Sequence, residues 1–192
     1  LAPADAPVTR SCVPLVGVPT CMVPPLLVVC GMPRSHSPVV AVSDYLKRAA
    51  VALGTPGDRV RVIRNGVDRA RFSPMDRAEA RRLCGLPADR PILLTVAGIE
   101  AHKGQHTVVE ALPDLLRQQP DLLYVMVGAG HKGDSFARDL RASVERLRVG
   151  EHVRFVGTRP HAELRPWFAA ADLFVLLTKS EGWPNVILES LA

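Results

Sequence analysis

The sequence predicts an α/β fold in which a parallel sheet is covered by helices on both faces. Three observations support this prediction. From about residue 59 onwards, short apolar runs alternate with amphipathic segments of helical period, which is the pattern of strands followed by helices. The runs are apolar throughout, as in strands that are buried on both faces. The chemically distinctive segments each follow such a run, and ligands of these sheets bind beyond the carboxyl ends of the strands.

The individual elements follow from local signals. Ser43 can cap the first helix, because its hydroxyl can accept a hydrogen bond from a free backbone N–H. The turn-forming dipeptide Asn65-Gly66 ends the strand that is predicted at residues 59–63. Gly85 can close the second helix in the left-handed conformation. The predicted helices cover residues 44–53, 76–84, 103–118, 135–147 and 161–170. The predicted strands cover residues 59–63, 91–97, 122–127, 152–156 and 172–177.

The composition indicates a globular chain. A length of 192 residues suits one well-buried domain, and an apolar fraction of 47% is ordinary for a folded protein. The net charge is +5, but nearly all of the cations are scattered arginines, and there is no basic run of five. With only two Trp and two Tyr, the chain offers no stacking platform for single strands. We therefore expect no nucleic-acid partner.

Residues 1–38 differ from the rest of the chain. They contain eight prolines and show neither a helical nor an alternating period, so we expect an irregular Pro-rich segment that is poorly ordered. Pro24 and Pro25 interrupt its longest apolar run, which predicts neither a signal peptide nor a membrane span. A reducing cytoplasm is then the expected location.

Metal-binding patterns are not evident in the sequence. The cysteines are at least nine residues apart, unlike the paired ligands of zinc sites. They are Cys12, Cys21, Cys30 and Cys84. His102 and His106 are four residues apart but have no third ligand in a metalloprotease pattern. We predict no metal site, and we expect Cys84 to be a small buried group within a helix.

Two carboxylates, Glu181 and Glu189, follow the last predicted strand with seven residues between them. Gly182 and Pro184 favour a short loop that leads into a helix, with Pro184 at the first helical position. Free backbone N–H groups at a helix start bind anions well. Both carboxylates could then face one ligand with a phosphate between them, as a nucleotide sugar requires. Alternatively, one Glu is favoured by the helix dipole and the other is simply solvated.

Lys103-Gly104 is the second candidate for chemistry. The pair is predicted to open the helix that follows the 91–97 strand and the loop containing Gly98. An ammonium and a second helix N-terminus would then point into the same crevice as the Glu181 loop. A cation there can neutralise the charge on a leaving diphosphate, which would make a divalent metal unnecessary. The alternative is a solvated lysine at a helix start, where the dipole disfavours it.

Two more loops follow strands. Gly128-Ala129-Gly130 has only two glycines of a dinucleotide-binding fingerprint, so a tight turn is favoured there. Gly157-Thr158-Arg159 follows the next strand, and its arginine could belong either to a site or to the surface.

The segment Glu181–Glu189, together with the overlapping Leu188–Ala192, resembles the E-x(7)-E signature of family 4 glycosyltransferases. These are retaining enzymes with two Rossmann-like domains. Further segments fit the same family in the right order and extend the resemblance over residues 39–192. They are Val40–Ser43, Asn65–Asp68 followed by Phe72, Lys103-Gly104, Phe155–Gly157 and Ala171–Val175.

The resemblance implies a domain organisation. Residues 59–192 would be the Rossmann-like donor-binding half of the two-domain fold, incomplete at its C-terminal end. Residues 39–58 would be the tail of the acceptor domain with its linker. An acceptor domain would precede Ser43, so we expect a fragment that is inactive by itself.

The resemblance also implies roles for single residues. It assigns Glu181 to the hydroxyls of the transferred sugar, Glu189 to the ribose and Lys103 to the diphosphate. Glu181 and Lys103 are thereby the predicted catalytic residues. The segment at residues 157–159 lies where family members hold the nucleobase. The remaining expected donor-binding residues are Gly98, Gly104, Gly157, Thr158, Arg159, Gly182, Pro184, Asn185 and Val186. Family members commonly carry an arginine soon after the first-strand glycine, where this chain has Ile99 and Glu100.

The implied function is transfer of a sugar, with retention, from a UDP- or GDP-linked donor to an unknown saccharide or lipid acceptor. It would need neither metal nor cofactor, would serve cell-envelope polysaccharide biosynthesis, and would allow peripheral membrane association of the full-length enzyme. Two alternatives stay open: a sugar-nucleotide epimerase of the same fold, and a non-catalytic nucleotide-sugar-binding or assembly module.

Overall fold

The computed structural model describes residues 38–131, 133 and 135–192. The prediction of an irregular Pro-rich segment and the first three cysteines fall at residues 1–37, outside the described residues. The chain divides into two compact units, with the boundary after Val62.

The described part of the first unit is a strand–helix–strand element. Strands β1 (Val39–Ala41) and β2 (Val60–Val62) are parallel neighbours, and helix α1 (Asp44–Ala52) connects them. Ser43 caps the helix as predicted, because its Oγ accepts a hydrogen bond of 3.2 Å from the Leu46 amide. The second strand starts one residue later than predicted, since residues 57–59 form a 3₁₀ turn.

The second unit contains a four-stranded parallel sheet in the order β5-β4-β3-β6. Its strands are β3 (Ile92–Val96), β4 (Leu123–Val127), β5 (Val153–Gly157) and β6 (Leu173–Phe174). Its helices are α2 (Arg77–Cys84), α3 (Gln105–Gln118), α4 (Phe136–Arg146), α5 (Leu164–Ala170) and α6 (Asn185–Leu191). The predicted parallel sheet is confirmed, and strands and helices alternate from β3 to α6.

Helices cover both faces of this sheet, as predicted. Alternate residues of β3 point to opposite faces, so Ile92 and Leu94 pack with α2 and α5 while Leu93 packs with α3 and α4. Every residue of β3 and β4 is buried. This double burial explains why the sequence of these strands is apolar without alternation.

The last strand is shorter than its apolar run predicts. Strand β6 has two residues where the sequence predicts a strand over 172–177. The hydroxyl of Thr95 donates to the Val175 carbonyl at 2.8 Å, while the Ala97 amide bonds to Val127 on the other side of β3. The ladder with β3 thus ends near Val175, whose amide donates to the Leu94 carbonyl at 2.8 Å and whose own carbonyl accepts the Thr95 side chain.

A buried arginine fixes the start of β6, and nothing in the local sequence pattern indicates it. Arg81 on α2 is 7% exposed; its Nη2 donates to Asp172 Oδ2 at 2.7 Å, and its Nε donates to the Ala170 carbonyl. The same carboxylate oxygen accepts the amide of Ile92 at 2.7 Å. One ionic group thus ties α2, β3 and β6 together at the amino ends of the strands.

Candidate functional site

Lys103 and Glu181 lie together beyond the carboxyl ends of two adjacent strands. Lys103 follows β3 and Glu181 follows β6, and the two strands are neighbours in the sheet. The Nζ of Lys103 lies 2.6 Å from Oε1 of Glu181, and the two side chains are only 19% and 15% exposed. The structure therefore places the two predicted catalytic residues in one partly buried ion pair.

Close backbone contact holds these two residues in place. The Lys179 amide donates to the His102 carbonyl at 2.9 Å, which joins the loop after β6 to the turn before α3. Gly104 has a φ of 78°, and a Cβ at this position would lie 2.1 Å from the Leu177 carbonyl oxygen. Only glycine allows this approach, since it has no side chain and adopts positive φ freely.

Helix α3 starts later than predicted. Residues 101–103 form a 3₁₀ turn and Gly104 occupies the N-cap, so Lys103 precedes the helix instead of opening it. Gln105, the first helical residue, is 1% exposed, and its Nε2 donates to the Gly98 carbonyl at 2.7 Å. Gln105 thus ties the helix start to the loop that leaves β3. No side chain caps the helix, which leaves first-turn N–H groups available to an anion.

Glu189 is held by a different basic group. Its side chain is 12% exposed, and its Oε1 lies 2.8 Å from Nε2 of His161. His161 in turn contacts Arg71, whose Nη1 lies 3.1 Å from Nδ1 of the ring. Glu189 is therefore not a simply solvated side chain, which was the alternative that the sequence left open. Sequence reasoning missed His161 and Arg71, because no local pattern links positions 28 and 90 residues apart.

The loop between the two glutamates contacts a second segment that the sequence singled out. The side chain of Asn65 donates to Asn185 Oδ1 at 2.9 Å, and the indole N–H of Trp183 donates to the Asn65 carbonyl at 3.2 Å. Helix α6 starts at Asn185, so Pro184 is the N-cap and not the first helical residue as predicted. Its ψ of 91° is extended, outside the helical range.

The loop after β3 carries a carboxylate between two imidazoles. Oε2 of Glu100 lies 3.3 Å from His102 Nδ1, and its Oε1 lies 3.1 Å from His131 Nε2. A Cβ on Gly98 would lie 2.7 Å from the same Oε1, so Gly98 makes room for the glutamate. Ile99 is buried in the core. Glu100 therefore joins the loop after β3 to the loop after β4, which carries His131.

The predicted nucleobase segment contains one constrained glycine and two exposed residues. Gly157 has a φ of 80°, and its carbonyl accepts the Gly128 amide at 2.9 Å. Thr158 and Arg159 are exposed, and no hydrogen bond joins either one to Lys103 or Glu181. Gly128 pairs with Gly157 in an isolated bridge, and residues 128–130 do not form the tight turn that the sequence favoured. Its glycine is required because a Cβ would lie 1.9 Å from the Ala97 carbonyl oxygen.

Arg159 instead lines a cavity of about 630 Å³ between α2, β5 and α5. Arg154, Trp167 and Cys84 line the same cavity. Burial raises the pKa of the Cys84 thiol to about 11, although the two nearby arginines oppose this shift. The prediction that Cys84 is a buried helical residue is confirmed.

The histidines and carboxylates of the described chain do not gather into a metal centre. No group of three or more His, Cys, Asp or Glu side chains within residues 38–131, 133 and 135–192 is arranged to hold a metal ion. His106 packs its ring edge-on against Phe136, with 5.6 Å between the ring centres. In that same part of the chain, every helix is too short or too polar to cross a membrane.

Comparison with known proteins identifies relatives for most of the chain. Residues 76–192 match the model of the family described as glycosyl transferases group 1. A D-inositol 3-phosphate glycosyltransferase of Thermobispora bispora is 36% identical over 145 residues, which cover 71% of this chain and 33% of that protein. A GDP-mannose-dependent alpha-(1-6)-phosphatidylinositol monomannoside mannosyltransferase of Mycolicibacterium smegmatis is 35% identical over 147 residues, or 75% and 37% of the two chains.

Solved structures share the fold. HepE of Anabaena, crystallised with UDP-glucose, superposes with a TM-score of 0.71 at 26% identity, over 82% of this chain and 43% of that one. A sucrose-phosphate synthase of Thermosynechococcus elongatus gives a TM-score of 0.65 at 28% identity, over 80% of this chain and 38% of that one. The chain spans about a third to two fifths of the length of the curated relatives it matches.

Proposed function

The chain belongs to the group 1 glycosyl transferases, and from this premise we propose that residues 63–192 bind the nucleotide-sugar donor of a sugar-transfer reaction. The ion pair of Lys103 and Glu181 is the observation that carries the proposal. A lysine ammonium suits a diphosphate, and a carboxylate suits sugar hydroxyls. Both groups lie at the carboxyl edge of the sheet, where folds of this type bind ligands.

We propose UDP or GDP as the nucleotide part of the donor. HepE, which shares this fold, was crystallised with UDP and with UDP-glucose. The mycobacterial relative is named for its dependence on GDP-mannose. These two names support a nucleoside diphosphate sugar as the ligand class and leave the base and the sugar to experiment.

We assign Lys103 to the diphosphate and Glu181 to hydroxyls of the transferred sugar. Without ligand the two charges neutralise each other at 2.6 Å, which keeps both side chains ordered in the partly buried site. A diphosphate that enters beside Lys103 offers the ammonium a second anionic partner, and Glu181 then accepts from the sugar. A preordered cation next to the leaving group stabilises the charge that develops there without costly reorganisation.

The other assignments follow the family resemblance. Glu189 binds the ribose, residues 157–159 hold the base, and the amides around Asn185 and Val186 serve the sugar–phosphate region. We propose that transfer proceeds with retention and that Lys103 fulfils the role a divalent metal has in other transferases. We further propose a cytoplasmic reaction with a saccharide or lipid acceptor. The phosphatidylinositol monomannoside in the name of the mycobacterial relative supports the lipid-linked class of acceptor.

We propose that this chain alone binds the donor but does not complete transfer. The relatives named for transfer are about three times as long as the matched segment. Positioning of two reactants contributes on the order of 7–11 kcal/mol to such reactions, and donor binding by one unit supplies only part of it.

Calorimetric titration of the 192-residue chain with UDP, GDP and inorganic phosphate, with EDTA present, tests this function. We expect one nucleotide to bind more tightly than phosphate. Lys103→Ala should weaken nucleotide binding about ten- to a hundredfold, since a charged hydrogen bond contributes roughly 1.5–3 kcal/mol. Lys179→Ala is the matched control, because Lys179 is exposed, lies in the loop that carries Glu181 and has the same charge as Lys103.

Three outcomes would contradict the proposal. They are equal affinity for phosphate and nucleotide, strict dependence on magnesium, and equal losses in the two lysine variants. A full-length enzyme that binds the nucleotide sugar but transfers nothing to any acceptor would instead indicate a non-catalytic binding module.

A further inference from the structure

We propose that His161 is a positioning residue for the ribose end of the donor site, and that Arg71 fixes its tautomer. His161 acts through Glu189 by donating a hydrogen bond that orients the carboxylate. The inference deepens the proposed function and rests on it, because it takes Glu189 to be the ribose-binding group. Its evidence is a hydrogen-bonded chain of three side chains from three separate segments.

The direction of each hydrogen bond in this chain follows from Arg71. A guanidinium has only donors, so the His161 nitrogen that faces it must be an acceptor. That nitrogen is Nδ1, 3.1 Å from Nη1 of Arg71. In a neutral imidazole the proton then lies on Nε2, which is 2.8 Å from Oε1 of Glu189. Arg71 thereby makes His161 a donor to the carboxylate.

The ring is also held by packing. Its centre lies 5.1 Å from that of Phe72 in an edge-to-face arrangement, and Phe72 is buried in the core. Asp68 accepts the backbone amides of Ala70 and Arg71, which fixes the segment that carries Arg71. The imidazole therefore has a defined orientation although about half of its side chain is exposed.

Glu189 keeps acceptor capacity for a ligand while it is held. Two carboxylate oxygens provide about four acceptor sites, and His161 uses one of them. Within the described part of the chain, Oε2 of Glu189 has no hydrogen-bond partner. A carboxylate held through one oxygen and open at the other is suited to accept the hydroxyls of a ribose.

The position of His161 in the chain connects two predicted subsites. His161 lies four residues after Gly157 and two residues beyond the 157–159 segment assigned to the nucleobase. Its contact with α6 therefore links the base segment to the ribose carboxylate. This arrangement predicts that His161 contributes to discrimination between nucleotides with and without ribose hydroxyls.

Binding of UDP and GDP, each compared with its 2′,3′-dideoxy analogue, tests the inference on the 192-residue chain. The readout is the ratio of the two affinities, which a general loss of stability does not change. We expect Glu189→Ala to remove the preference for ribose. His161→Ala should weaken ribonucleotide binding about two- to tenfold and leave dideoxynucleotide binding unchanged. His161→Gln retains an N–H donor and should restore part of the preference.

His152→Ala serves as a structural control. His152 lies at the amino end of β5, where its Nδ1 contacts the Leu122 carbonyl, and its loss should leave the ribose preference intact. The inference is overturned if His161→Ala keeps the wild-type ratio while Glu189→Ala loses it; that result leaves the proposed function standing. If the wild-type chain binds neither UDP nor GDP, both the proposed function and the inference fail.

The tautomer provides a second test that needs no nucleotide. Nitrogen-15 NMR of the His161 ring should show a protonated Nε2 and an unprotonated Nδ1. Arg71→Met should abolish this preference, because methionine donates no hydrogen bond to Nδ1. A wild-type ring protonated at Nδ1 would overturn the inference even if the chain binds nucleotides.

Discussion

At the scale of single residues, Lys103 and Glu181 meet because they follow adjacent parallel strands, whose carboxyl ends share one edge of the sheet. The sequence predicted that Lys103 and the Glu181 loop face the same crevice, since each of them comes just after an apolar run. It did not allow the partner of Glu189 to be predicted. His161 contacts that carboxylate and Arg71 contacts His161 through tertiary packing, and neither residue lies in a pattern that marks it as a binding residue.

The two glutamates should differ when each is removed from an enzyme of full family length. Glu189→Ala should weaken binding of the nucleotide alone about ten- to a hundredfold, as expected for a lost charged hydrogen bond. Glu181→Ala should spare nucleotide binding, because it frees Lys103 for the diphosphate, but should slow sugar transfer. Calorimetry with the nucleotide and a transfer assay with the donor sugar separate the two effects. Equal losses of nucleotide affinity in both variants would refute the assignment.

At the scale of elements, the alternation of strands and helices was predictable because buried strands and amphipathic helices leave clear periodic patterns. Element ends were less predictable. Strand β6 ends early, and the Val175 carbonyl there accepts the Thr95 hydroxyl, a tertiary contact that the apolar run does not indicate. Helix α3 begins at Gln105 because Gly104 adopts a positive φ under the loop after β6.

Gly104→Ala should destabilise the second unit and weaken nucleotide binding, because a Cβ would lie 2.1 Å from the Leu177 carbonyl oxygen. Gly133→Ala is a matched control, since Gly133 also has a positive φ but a Cβ there would have no atom within 4 Å. The control should lose about 1–2 kcal/mol from the left-handed backbone alone. Gly104→Ala should lose clearly more in urea unfolding. Equal losses would show that the close approach to Leu177 contributes nothing.

At the scale of the whole molecule, the chain has the fold of its family. It spans about two fifths or less of the length of its matched curated relatives. Its described residues include a parallel sheet, and Lys103 and Glu181 lie together at the carboxyl edge of that sheet. The sequence motifs predicted the family, because their order along the chain is specific even where each motif is weak. The motifs could not predict the contacts of Glu189 with His161 or of Arg81 with Asp172, since these side-chain contacts depend on packing between distant segments.

The central claim is that a nucleotide sugar binds at this carboxyl edge, and NMR titration of the 192-residue chain tests it most directly. Backbone amides of isotopically labelled protein are followed as UDP-glucose or GDP-mannose is added. We predict saturable shifts at residues 98–105, 157–159 and 181–189, with smaller changes elsewhere. Shifts confined to the cavity between α2, β5 and α5, or no shifts with either nucleotide sugar, would contradict the claim.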